Sequence, residues 1–204
     1  MYGVSGPNMR SVMPMNHEMG LMSTMLPVWI RVAWSIALAV VAVLHLWHAA
    51  ALRGQPRWWH GVHTAMAVGM AAMYAADPMK QAGLDRAMFT VFAVVAVGLV
   101  VVTAGVGRRE GAANPLWALT VVGAAAMAYM SAVMLWPQAI GPVVSWVVIA
   151  YLCVDAIGWA FGVWDRLAVL RRESIGLAGH DSVDVRISLA VMAASMAYML
   201  AAMM

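Results

Sequence analysis

Charge is scarce in this chain: Asp, Glu, Lys and Arg make up 10% of its 204 residues, where soluble domains carry about 25%. A soluble globular fold is excluded on that ground. With 64% hydrophobic residues and a mean hydropathy of +0.82, the chain belongs in a bilayer. Cysteine is almost missing. Cys153 stands alone in an apolar segment, so no disulfide framework and no zinc ribbon can form, and cysteine gives no reading of the redox compartment. Also missing are a Gly-rich nucleotide loop, a phosphorylatable Asp in an ATPase context and a Ser-His-Asp arrangement. These absences argue against primary active transport by this chain alone and against an enzyme, and no catalytic residue is assigned. The formal charge of +3 and the pI near 9.4 come from Arg in short loops, which report membrane orientation and not nucleic-acid binding.

What the chain does have is a series of apolar runs bounded by Pro, Gly and charge. They predict an all-α polytopic membrane protein with six transmembrane helices: Pro27 to Leu52, Trp58 to Ala76, Arg86 to Gly107, Pro115 to Trp136, Pro142 to Trp164 and Val185 to Met204. Each run is near the about 20 residues that cross a hydrocarbon core of about 30 Å. Helices are required because a spanning segment must satisfy its own backbone, and the strand alternation of a membrane barrel is absent. Residues 1–26 read as a flexible, Met-rich extracytoplasmic tail, since no uninterrupted apolar core or small-residue cleavage site follows a basic start; residues 27–204 read as the bundle.

The loops give the orientation. Arg53 and Arg57 lie between the first two helices, Arg108 and Arg109 between the next two, and Arg166, Arg171, Arg172 and Arg186 between the last two. These loops are expected in the cytoplasm, which puts both termini outside. LAVLRRES, from Leu167 to Ser174, reads as an anchor on anionic lipid. An internal similarity supports three repeated helical hairpins. AAAMAYMSAVM, Ala124 to Met134, matches AASMAYMLAAM, Ala193 to Met203, with a weaker echo, MAAMYA, from Met70 to Ala75.

Twenty residues are methionine, and in this topology they gather on the outer side. Met70 and Met73 lie in the outer half of the second helix, Met127, Met130 and Met134 in that of the fourth, and Met196, Met199 and Met203 in that of the sixth. Their spacings of three and four put the sulfurs on one face of each helix. The tail adds MPMNHEM, Met13 to Met19, in which thioethers flank His17. Methionine is a flexible core filler, but soft sulfur also selects Cu(I). At the other face, HLWH and WWHGVH place His45, His48, His60 and His63 in two pairs across one tight turn. With that turn centred near Gln55, His48 is expected opposite His63, and His45 opposite Met66. Trp47, Trp58 and Trp59 fit an interfacial belt. Asp155, midway through the fifth helix, is an intramembrane carboxylate expected to face the bundle interior, and is a stronger functional candidate than Cys153.

The Ala, Val and Trp-rich bundle with HxxH pairs in its first hairpin resembles uncharacterised actinobacterial multi-pass membrane proteins, a resemblance that implies no activity. The Met arrays are similar in style to Met-rich segments of bacterial copper-handling proteins. The leading expectation is a plasma-membrane copper-handling protein. An outer Met site would capture Cu(I), and an inner site of His45, His48, His60, His63 and Met66, with Asp155 as a further donor, would receive it. One rival is a haem- or metal-containing redox subunit with His48 and His63 as ligands. Another is a non-metal structural or assembly partner in a larger membrane complex. Expected partners are the lipid bilayer, a metal ion and a homo-oligomer or larger complex, with no nucleic acid.

Overall fold

The computed structural model describes residues 26–76, 82–110, 115–136, 141–166 and 182–204. Its elements are α1 (Val28–Ala51), α2 (Gln55–Ala75), α3 (Ala82–Glu110), α4 (Pro115–Leu135), α5 (Pro142–Ala160), the short α6 (Val163–Arg166) and α7 (Val183–Ala202). Prolines mark three of the starts: α4 begins at Pro115, and α2 and α5 each carry Pro in the first turn, where its missing N–H costs no helical bond. Gly54, at φ 76°, supplies the left-handed residue that turns α1 into α2.

The long helices pair as hairpins: α1 with α2, α3 with α4, and α5 with α7. Ring contact between Phe89 and Trp136 sets the start of α3 beside the end of α4, so that pair runs antiparallel. Five helices are long and apolar enough to cross a membrane: α1, α3, α4, α5 and α7. The chain is thus a multi-pass protein of the cell membrane. The expected sixth span, α2, falls below that apolarity because it carries Gln55, Arg57, His60, His63 and Thr64. Packing compensates for the polarity. One face of α2, including Trp59, His60, His63, Met66, Met70 and Tyr74, is buried among other helices.

The core is built largely of methionine. Met66, Met70, Met73, Met127, Met130, Met192, Met196 and Met199 pack with Leu38, Phe92, Leu152 and Leu200 in one buried cluster. The sulfur-bearing faces therefore point at one another, filling space between helices rich in Ala. A close approach locks α2 to α3. A Cβ on Gly69 would lie 2.5 Å from the Phe92 ring, so only glycine leaves room for it.

Two arginines close hairpin ends in the same way. Arg31, in the first turn of α1, donates from Nε to the Tyr74 carbonyl (3.0 Å) and from one terminal nitrogen to those of Ala75 (2.9 Å) and Ala76 (2.7 Å). These carbonyls have no partner within α2, and the cation sits at the negative end of the helix dipole. Arg186, expected near the boundary between the last two helices, lies inside α7 and donates to Trp159 and Ala160, both at 3.4 Å, at the end of α5. Gly162, at φ 62°, makes room: a Cβ there would collide with the guanidinium. Arg31→Met is expected to destabilise the protein in detergent by roughly 1–3 kcal/mol and to speed hydrogen exchange in the last turn of α2. Unchanged exchange there would count against the cap.

Candidate functional site

Side chains with chemical potential converge where α1, α2 and α7 meet. His45, His60 and His63 are buried, and Trp59 is packed among them. His45 Nδ1 lies 2.8 Å from His60 Nδ1, and its Nε2 lies 2.9 Å from Ser188 Oγ. The protons follow from the partners. Ser188 has one hydroxyl hydrogen and gives it to the Val185 carbonyl at 2.6 Å, so its oxygen accepts from His45 Nε2–H. A neutral His45 then has a bare Nδ1, which accepts from His60 Nδ1–H. His63 donates its Nδ1–H to the Trp59 carbonyl at 2.8 Å, and His48 donates its own to Leu44 at 2.9 Å. Each of the four imidazoles is thus fixed in one orientation by at least one hydrogen bond.

The register differs from the expected one. His45 stacks on His63, with centroids 5.3 Å apart, and His48 stacks on His60 at 4.9 Å. Both pairs are equidistant from Gly54, because α2 begins at Gln55 and the turn is centred on the glycine. His48 is therefore not opposite His63, nor His45 opposite Met66.

This arrangement overturns the metal readings. Among the described residues, no group of three or more His, Cys, Asp or Glu side chains is placed to hold a metal ion. The reason is geometric. Imidazole lone pairs lie in the ring plane, and rings stacked at 23° and 18° cannot aim them at a centre between the faces. Both His45 nitrogens are occupied, as are the Nδ1 atoms of the other three. The histidines form a stacked and hydrogen-bonded array, not a coordinating cluster. Copper handling, a haem or copper cofactor and a metal-ion partner are therefore set aside.

The other candidates fall in several places. Met66, Met70, Met73, Met127, Met130, Met196 and Met199 are core residues, while Met134 and Met203 are half-buried. Ser195 Oγ lies 3.5 Å from Met70 Sδ, but its hydrogen goes to the Met192 carbonyl at 2.8 Å. His17 lies outside the described residues. Cys153 is exposed on α5. Asp155 is half-buried, and its Oδ1 has no hydrogen-bond partner. Sequence reasoning missed Asp184, whose Oδ2 is 3.7 Å from His48 Nε2, an ion pair only while the imidazole is protonated. It also missed Ser188, although its place on α7 was open to a reader searching for an acceptor near the histidines.

A family model described as Domain of unknown function (DUF5134) matches residues 55–203. No curated protein and no solved structure matches the chain. The matched region holds His60, His63 and Asp155 and begins after His45 and His48.

Proposed function

We propose a structural or assembly role in a larger membrane complex for this chain, which belongs to the DUF5134 family. The observation that carries the reading is the outer face of α3. Among the described side chains of α3, Phe92 and Leu99 are the buried apolar ones, and with Asp85 they form one narrow stripe at intervals of seven. On the exposed part of the helix, Val94, Gly98, Val101 and Gly105 repeat at intervals of four and three. A Cβ at Gly98 or Gly105 would meet nothing. Lipid gives apolar helices no hydrophobic reason to associate, so close backbone approach at small residues is a main source of helix affinity in a bilayer. The occupant that fits is a transmembrane helix of a partner subunit.

In this reading the Arg-bearing connections after α1, α3 and α5 face the cytoplasm, both termini lie outside and α2 makes a sixth crossing wrapped by its neighbours. The likeness to actinobacterial proteins with paired histidines belongs to the same reading. Gently solubilised native membranes supply the test. The wild-type chain is expected to migrate in a complex larger than its own mass. Gly98→Leu with Gly105→Leu should release it at least tenfold more readily while its helix content stays unchanged. A chain that runs alone from native membranes would retire the proposal, and self-association would replace the partner subunit with a second copy.

A further inference from the structure

A cavity of about 30 Å³ lies between α2, α4, α5 and α7, lined by Trp59, His63, Thr120, Asp155 and Trp159 together with apolar side chains. That volume is enough for one or two water molecules, which need about 10–15 Å³ of such space each and several polar partners. The partners are there. Trp59 is 2% exposed and its indole N–H is unpaired, and Asp155 Oδ1 is buried and unpaired. A donor and an acceptor are thus left without partners on the walls of one small cavity, an unfavourable state if it stays dry.

Trp59 can only donate. His63 spends its Nδ1–H on the Trp59 carbonyl, so its neutral ring has a bare Nε2, and Thr120 gives its hydroxyl hydrogen to Leu116 at 2.9 Å, leaving an acceptor oxygen. The Trp159 indole on the same wall is a second donor, and with one or two waters these donors can meet the acceptors of Asp155, His63 and Thr120. What hydrogen bonding leaves uncompensated is charge: among the described residues no Lys or Arg lines the cavity, and an intramembrane carboxylate without one is costly until it takes up a proton.

We infer that this cavity is a hydrated proton-binding site, in which water bridges the Trp59 indole to Asp155 and a single proton is held by Asp155 and His63. The ligand class is water with a proton taken from the solvent; no metal is involved. The surroundings suit that assignment. From α4 the cavity receives the Thr120 hydroxyl, and from α7 only Leu189, Met192, Ala193 and Met196. Tyr151, one turn before Asp155 on α5, interacts with its carboxylate electrostatically. The Trp159 and Trp164 indole N–H groups are also directed toward its carboxyl, while Oδ1 itself has no direct hydrogen bond. The cation of α7, Arg186, is directed at the end of α5, toward the Trp159 and Ala160 carbonyls. Beyond His63, His45 stacks on its ring and is hydrogen-bonded to His60.

Infrared difference spectroscopy on the full chain in lipid nanodiscs, scanned over pH, tests this. The wild type should show a protonated aspartic carboxyl band that titrates, moves when aspartate is labelled with ¹³C, and is accompanied by a water band that moves in H₂¹⁸O. Asp155→Asn should remove the carboxyl band. Trp59→Phe keeps a ring but removes the N–H that favours the ionised carboxylate through water, so the midpoint should rise by about half a pH unit or more, with loss of the water band. The labelled wild type decides the matter even where a variant fails to fold. Absence of a titrating aspartic carboxyl, titration without an isotope-sensitive water, or an unmoved midpoint in folded Trp59→Phe would each overturn the inference.

Discussion

His45→Ala should lower the unfolding free energy by roughly 3–5 kcal/mol, an orphaned donor and a buried void acting together. His45 is fully buried and is the one side chain that bonds both His60 and Ser188. Without it, the His60 Nδ1–H is left in a dry core. Ser188 suffers less, because its hydroxyl still donates to Val185. Most of the loss should therefore be recoverable by removing the stranded donor, so that His45→Leu combined with His60→Leu is less destabilised than His45→Ala alone. Unfolding in mixed micelles, followed by helix content, measures each variant. If the losses of the single variants simply added in the double, the two rings would not depend on each other and the assigned proton positions would be wrong.

Phe92→Ala is expected to cost roughly 2–4 kcal/mol, most of it from lost contacts, since apolar transfer from lipid to a protein core gains little. Phe92 is 1% exposed and is the buried residue through which α3 enters the methionine core, with half-buried Met88 beside that core. Its ring fills the space that Gly69 leaves open. Gly69→Ala in the otherwise native chain should also destabilise, by forcing that ring aside. In the Phe92→Ala background the same methyl group enters vacated space, so its effect should shrink or reverse. This sign change reads out direct contact. Independent additive effects would mean that another residue carries the hairpin junction.

The fold class and the hairpin pairing were legible in the sequence because apolar runs of this length have few other uses. Two parts of the candidate site were misread for identifiable reasons. Paired histidines indicated proximity correctly, but a turn centred on Gly54 instead of Gln55 changes which rings meet, and spacing says nothing about where lone pairs point. The Met faces of α2, α4 and α7 were legible as stripes. Whether thioethers bind an ion or fill a core depends on what faces them, and here they face Leu, Ala, Phe and one another. Arg31 went unnoticed because an arginine near the start of a span reads as an interfacial charge. Its partners, the last carbonyls of α2, are 43 to 45 residues away in sequence. Asp155 was legible as an intruder, while its link to Trp59 through a shared cavity needed three-dimensional placement.

The polar, buried nature of α2 has a consequence for how the chain reaches its membrane. A helix carrying two histidines, a threonine, a glutamine and an arginine partitions poorly from the insertion machinery into lipid by itself, whereas α1 partitions readily. The three-residue turn from Leu52 to Gly54 ties the two together during synthesis. Once Arg31 has taken the terminal carbonyls of α2 and His45 has met His60, the pair presents lipid with mostly apolar surface. In the proposed six-span arrangement, membrane entry of α2 is therefore a two-helix event that waits on α1, and the first hairpin would act as the unit of biogenesis as well as of packing.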